Sequence, residues 1–253
     1  MKIAKAHTYR GFTLVETAIA MGMVALMITA FMVAFGPAVK SINKSISAKQ
    51  AERLAGALEH ELSVVRAGES YATSFEKAFW WIKQANQNSK YPVLVYQYRG
   101  DPGSVRPDGT LNPYTGAGTT AGVDYVIQTS VRRLPGSTNP SPETFHQSKI
   151  IDELGPGVLE GRVYYVRMTQ LRYNANGEMV NTTSVNNITK LRPNPDNTYD
   201  NTATPDLYTD DAVLPFKAEF YIVPNVLYGY LSTTWSVANP GALVFTKNMA
   251  VMR

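Results

Sequence analysis

The sequence predicts an α+β protein, with a long N-terminal α-helix packed by its distal half on an antiparallel β-sheet head that carries long loops. Three observations lead there. Ala18–Gly36 is a run of 19 residues without a charge. Beyond Pro37 come Val39, Ile42, Ile46, Leu54, Leu58, Leu62 and Val65, apolar residues at helical three-and-four spacing interrupted only at Gln50. From Pro92 onward the pattern becomes short stretches rich in β-branched and aromatic residues, punctuated by Gly, Pro, Asn and Asp.

A helix of 19 residues rises about 28 Å at ~1.5 Å per residue, close to the hydrocarbon thickness of a bilayer. A removable signal peptide has a shorter apolar region and a small-residue cleavage site. This run is longer and merges into more helix, so it reads as a span that is retained. One helix is expected from about Phe12 to Arg66. Residues 12–37 lie in lipid or among other helices, and residues 38–66 form an amphipathic stem. Lys40, Lys44, Lys49, Glu52, Arg53, Glu59 and Glu61 supply the polar faces of the stem. Gly22, Gly36 and Pro37 are the expected points of bending or melting, because Gly weakens a helix and Pro removes a hydrogen bond.

Residues 67–253 form the expected head. Ser74–Ala85 has helical character, and Phe79, Trp80, Trp81 and Ile82 give it a bulky apolar face suited to pinning a short helix onto a sheet. Strands are expected at Pro92–Arg99 and Asp124–Arg133, separated by a Gly/Pro-rich loop. Arg162–Tyr173 and Glu178–Val185 read as a hairpin closed by Asn174-Ala175-Asn176-Gly177. Ala212–Val223, Val226–Ser232 and Ala242–Met252 complete the strand pattern. Asn186–Asp211, with Pro193, Pro195 and Pro205, reads as a long surface loop.

The charge is concentrated at the start of the chain. Of 24 basic residues, Lys2, Lys5 and Arg10 fall in the first ten positions, and without them 21 bases face 20 acids. A nearly neutral body lacks the concentrated basic face that nucleic-acid or general membrane-surface binding needs. There is no cysteine, which excludes thiol catalysis, disulfides and cysteine metal sites.

Residues Arg10 to Glu16 read Arg-Gly-Phe-Thr-Leu-Val-Glu. With the basic leader before them and the apolar run after, they resemble the processing signal of the type IV pilin and type II secretion pseudopilin superfamily. The resemblance implies removal of residues 1–11 by a membrane aspartic peptidase cutting after Gly11, and N-methylation of the new terminal Phe12. It also implies that Glu16 docks the subunit into a filament. The residues themselves agree with this. Gly11 has no Cβ to obstruct a peptidase, and Lys2, Lys5 and Arg10 hold the leader on the cytoplasmic side. A carboxylate at the start of a membrane helix costs about 2.5–3.5 kcal/mol at the bilayer centre and less at the interface, so Glu16 calls for a partner. The α-ammonium that cleavage creates at Phe12 of a neighbouring subunit would be one. The bland reading of Glu16 is a solvated carboxylate welcomed by the helix dipole. The sequence departs from the family in placing its nearest proline late, at Pro37, in lacking a C-terminal disulfide, and in the size of its head.

Weaker signals remain. Asp196, Asn197, Asp200, Asp206, Asp210 and Asp211 concentrate oxygen ligands of the kind calcium takes, without the spacing of a known motif; Asp and Asn are also common in turns. Calcium is the one cofactor considered, with Asp196, Asp200, Asp206 and Asp210 as its candidates. Arg132, Arg133, Arg162, Arg167 and Arg172 would make a basic groove only if they shared a face, and a scattered solvated set is the expectation. Of three histidines, His7 leaves with the leader, His60 sits on the stem, and His146 lies in a Pro/Ser-rich loop. Asp152-Glu153 and Asp210-Asp211 are neighbours in sequence, which does not make a catalytic pair.

The expectation is therefore a structural filament subunit with no catalytic residues. It is made as a prepilin in the bacterial inner membrane, with its head on the periplasmic side, and assembled through its N-terminal helix. Its partners are copies of itself or related pilins, the prepilin peptidase and the inner-membrane assembly machinery, with nucleic acid not expected. The alternative is a minor, tip-located or initiating pilin acting as a binding module for a surface, DNA or a secreted substrate. A tethered enzyme whose anchor merely looks like a pilin is the third class.

Overall fold

The computed structural model describes residues 13–85, 93–134, 143–182, 188–202, 204, 208, 211–233 and 240–253. Two compact units divide the chain, residues 1–46 and 47–253. Helix α1, Leu14–Leu62, contributes to both.

Within the first unit, α1 is helical through Gly22, Gly36 and Pro37. The expected melting at these positions is not seen. Proline forfeits one amide donor, and in a 49-residue helix the flanking Ala, Leu, Met and Val residues propagate the helix past a single lost bond. Its large apolar side chains are exposed throughout, from Leu14 at 87% to Ile46 at 58%.

In the second unit, the last turns of α1 bury Ser47, Ala51, Leu54, Ala55, Leu58, Glu61 and Leu62. The predicted stripe is thus buried from Ser47 onward, whereas Val39, Ile42 and Ile46 are exposed. Each fully buried leucine contributes about 1.5–3 kcal/mol relative to exposure. The helix stops at Leu62, four residues earlier than predicted. Ser63 N–H and Ser63 Oγ both donate to His60 O, at 3.1 and 2.7 Å. The chain then reverses at Gly68, whose φ of 92° is left-handed.

Helix α2, Ser74–Ala85, falls where the sequence places it. Phe79 and Trp81 are buried, Trp81 Nε1 donates to Tyr71 Oη at 3.2 Å, and Phe75 and Phe79 both pack on Tyr208. Trp80 is half-buried beneath Lys83 Nζ, 4.9 Å from its ring centre.

The antiparallel sheet comprises β1 (Val93–Val105), β2 (Leu111–Pro113), β3 (Val126–Arg133), β4 (Leu159–Tyr173), β5 (Met179–Asn181), β8 (Val213–Ile222) and β9 (Leu243–Met252). Its main path is β2-β1-β4-β8-β9, with β3 paired to β1 and β5 to β4. The register sets Val95 opposite Val131 and Tyr164, Val166 opposite Phe220, and Phe216 opposite Met249. Strand side chains alternate between faces. Val93, Val95, Tyr164, Val166, Phe216 and Phe220 meet α1 and α2 on one face. Leu94, Tyr96, Tyr98, Val163, Tyr165 and Tyr221 form a second core on the other. Gly161 (φ 77°) lies where the β1–β4 register shifts, and a Cβ there would sit 2.5 Å from Gln50 Nε2 of α1. The left-handed φ is what favours glycine here, since the Gln50 amide is the free end of a flexible side chain.

The second core explains two differences from expectation. Its cover includes α3, Glu143–Glu153, through Ile150, then Leu154 just past its end, and α4, Tyr228–Thr233, through Leu231. The sequence placed a loop at His146 and a strand over Val226–Ser232. In the second case Asn225 Oδ1 accepts from Leu227 N–H at 3.0 Å in a local turn, and the helix follows it, with Leu231 N–H donating to Leu227 O at 3.0 Å. Within the expected 186–211 loop, β6 (Ile188–Thr189) and β7 (Asn201–Thr202) pair as a small two-stranded sheet. The predicted hairpin between β4 and β5 is present, with Tyr173 opposite Met179 and Gly177 left-handed at φ 80°.

Candidate functional site

The N-terminal end of α1 is the first candidate. Gly11 and Phe12 lie outside the described residues. The next residues form a reciprocal cap: Glu16 N–H donates to Thr13 Oγ1 at 3.2 Å, and Thr13 N–H donates to Glu16 Oε2 at 2.9 Å. Thr13 Oγ1 also donates to Oε2, at 3.0 Å. The Thr-x-x-Glu spacing is what makes this possible, since residue N3 reaches back to the cap one turn below. Glu16 is therefore placed as the bland reading had it, in the first turn, but engaged through one oxygen only. Among the described residues Oε1 has no hydrogen-bond partner.

Behind the cap, α1 contains an 18-residue window with mean hydropathy 2.3, none of it buried. Its length and composition suffice to cross a bilayer. The hydroxyls in it are satisfied internally, Thr17 Oγ1 donating to Thr13 O at 3.0 Å and Thr29 Oγ1 to Ala25 O at 2.8 Å. An apolar medium demands such internal pairing. Phe31 and Phe35, one turn apart, stack with ring centres 4.0 Å apart.

A second constellation lies inside the head, and the sequence reading missed it. Glu153, at the end of α3, is fully buried. Its carboxylate accepts from Tyr96 Oη at 2.7 Å, Ser130 Oγ at 2.9 Å, Arg132 Nε and Nη2 at 3.1 and 2.6 Å, and Arg106 Nη1. Burial alone would raise its pKa; the Arg132 charge and the donors outweigh it and hold the carboxyl below its ordinary range. Asp108 is likewise held low. Burial opposes the shift, while hydrogen bonds from Lys149 and Thr110 drive it. Nearby, Glu61 of α1 takes Arg66 Nη2 and Lys77 Nζ, each at 2.6 Å, and Lys77 also pairs with Glu69 at 2.9 Å. Arg66 Nη1 donates to Asp108 O at 3.1 Å, joining the two groups.

This corrects the expectation in part: the arginines are scattered, but Arg132 and Arg133 are not solvated. Arg132 and Arg133 are both buried, on opposite sheet faces, with Arg133 Nη1 donating to Tyr71 Oη at 3.1 Å. Arg162 is exposed; Arg167 pairs with Glu219 at 2.8 Å; Arg172 stacks on Tyr199. No groove brings the five together. One signal for the buried pair was present in the sequence. Adjacent residues of a strand point to opposite faces, so one of Arg132 and Arg133 must face the helix-covered side of the sheet.

Of the calcium candidates, Asp196 Oδ1 accepts from Thr198 N and Oγ1 at 3.0 and 2.6 Å. Asp200 accepts from Asn194 Nδ2 at 3.1 Å and lies 3.6 Å from Lys190. Asp206 and Asp210 lie outside the described residues. Among the described residues no three His, Cys, Asp or Glu side chains converge as metal ligands. Residue 146 falls within α3 rather than a loop.

Comparison with protein-family models, with curated proteins and with solved structures finds no match to this chain.

Proposed function

We propose that this chain is a pilin-like filament subunit, made with residues 1–11 as a leader and assembled through α1. The observation that carries the reading is the Arg-Gly-Phe-Thr-Leu-Val-Glu sequence set at the start of a helix whose apolar side chains are all exposed through Ile46. In water such a surface is untenable; lipid before assembly and neighbouring helices after it are environments that cover it. The precursor lies in the inner membrane with its leader in the cytoplasm and its head in the periplasm. After assembly the filament stands in the periplasm or outside the cell.

The cap refines the docking step. Thr13 occupies Glu16 Oε2 and leaves Oε1 to receive the Phe12 ammonium of a neighbour. Thr13 then acts as a positioning residue. It fixes the carboxylate rotamer before a partner arrives, which reduces the ordering cost of pairing.

Mass spectrometry of the mature N-terminus tests the reading. A chain beginning at methylated Phe12 is expected, and one retaining Met1 overturns it. In cells, Glu16→Ala is expected to abolish sheared filaments while the membrane pool of folded subunit persists. Wild-type filament numbers would refute the docking role. The abundance of the chain in sheared filaments separates a major subunit from a tip subunit.

A further inference from the structure

Near the start of α2, the lysine side chain of Lys77 lies wholly inside the head. It is 0% exposed, as is the side chain of Glu69, and that of Glu61 is 3% exposed. Three oxygens surround Lys77 Nζ: Glu61 Oε1 at 2.6 Å, Glu69 Oε2 at 2.9 Å and Val64 O at 2.9 Å. The Trp81 ring, centred 5.0 Å away, closes another side. An ammonium has three hydrogens to give, and three oxygens are in place to take them.

Both carboxyls are held in position. Glu69 follows the left-handed Gly68, its N–H donates to Arg66 O at 3.1 Å, and its Oε2 accepts from Arg66 N–H at 2.9 Å. Arg66 Nε grips Glu61 through both oxygens, at 3.0 and 2.7 Å. A buried lysine fixed between two carboxyls is arranged for condensation as well as for charge pairing. Taking an ion pair out of water costs several kcal/mol per ion, on the order of 20 kcal/mol in the idealised limit, whereas a neutral amide in the same place carries no charge. Well-oriented groups also react at effective concentrations of about 10⁵–10⁸ M.

We propose that Lys77 and Glu69 join in an isopeptide bond formed by the folded head itself, with Glu61 as proton carrier. Lys77 Nζ first gives one hydrogen to Glu69 Oε2, which leaves a neutral amine and a neutral carboxyl. The two hydrogens left on nitrogen stay on Glu61 Oε1 and Val64 O, so the freed lone pair stays aimed at Glu69. It attacks Glu69 Cδ, and the Nζ–Cδ bond forms. Glu61 takes a second proton from nitrogen and passes it to the hydroxyl on Cδ. That Cδ–O bond breaks, one water leaves, and Glu61 ends as it began. No oxidant, reductant or co-reactant is consumed. The last hydrogen becomes the amide N–H, with Val64 O still its acceptor. A cavity of about 270 Å³, lined in part by Glu61 and Arg66, can receive the water. In a chain without cysteine, this amide staples the α1–α2 connection to α2. The site lies in the head and is independent of the filament reading.

The full-length chain, purified in detergent micelles, is denatured, digested with trypsin and read by mass spectrometry. Trypsin cuts after lysine and arginine, so an unlinked chain releases residues 67–77 and 78–83 separately. The linked chain is expected to release residues 67–83 as one peptide, lighter than its sequence by one water, with Glu69 and Lys77 joined in its fragment spectrum. Lys77→Arg is expected to restore the full mass and cleavage at position 77. Glu61→Gln keeps both joined groups and is expected to slow the bond about a hundredfold or more, followed as the linked fraction at successive times after synthesis. Release of residues 67–77 at full sequence mass from the parent chain overturns the proposal, however the variants fold. A bond that forms as fast in Glu61→Gln overturns the part given to Glu61.

Discussion

Replacing Glu153 by glutamine isolates what the buried ion pairs do. Glutamine preserves the shape, and its amide oxygen still accepts from Tyr96 and Ser130. It removes the charge that Arg106 and Arg132 both face, and sets an amide donor against their guanidinium donors. With Glu153 at 0% and Arg132 at 1% exposure, the surviving cations have almost no access to water. Breaking a buried pair from one side typically costs about 3–5 kcal/mol. For a head of this size each kcal/mol lowers the melting temperature by about 2–4 °C, so Glu153→Gln is expected to lower it by about 6–20 °C. Trp81 is fully buried in the first core and its fluorescence reports the transition, with the full chain held in micelles. Lys247→Ala is the control. It removes a 3.4 Å pair with Glu59 whose partners are 41% and 52% exposed, a type worth about 1 kcal/mol or less. A Glu153→Gln shift no larger than that of Lys247→Ala would refute the view that this network is integral to the head.

Acidification acts on the same groups. Glu153 and Asp108 titrate below their unfolded values in the folded head. Their stabilisation is therefore complete above about pH 5 and is lost as pH falls through the folded values. Melting temperature is expected to decline below pH 5, and less steeply in Glu153→Gln, with parallel curves counting against the assignment. Leu58→Ala removes a fully buried side chain and is expected to cost about 2–5 kcal/mol in denaturant unfolding. Ile42→Ala, at a position 59% exposed, is expected to leave head stability unchanged; equal losses would contradict the boundary at Ser47. Thr13→Val removes the hydroxyl half of the cap and is expected to speed amide exchange in the first turn of α1, with Thr13→Ser restoring it. Unchanged exchange in the valine chain would show that the cap does not hold that turn.

Much of the architecture was legible because it is periodic. Helix α2 was found to the residue, α1 to within four at its end, and β3, β4, β8 and β9 to within three, since each carries its own apolar rhythm; β1 runs six residues past its expected end at Arg99, and β2 lies in what was expected to be the Gly100–Gly122 loop. The failures fall where rhythm is silent. Helix α3 begins among prolines and serines and has a weakly amphipathic face. The segment at Val226–Ser232 alternates like a strand, but follows a turn at Asn225 into a short helix that buries Leu231. The docking end was readable because Thr13 and Glu16 are neighbours one turn apart. The buried ion-pair network was not, because Glu61, Arg66, Asp108, Arg132 and Glu153 meet only once the chain has folded, and nothing local distinguishes them from surface charges.

The absence of cysteine and the way the head grips α1 together bear on how the head would answer a pull along that helix. Tension entering along the helix passes to the sheet through Leu54, Leu58 and Leu62 in the first core and through Glu61, clasped by Arg66 and Lys77. With no disulfide to limit extension, every contact in that path is non-covalent. Such a joint yields at a force set by loading rate, holding firm under a brief tug and creeping under a sustained one.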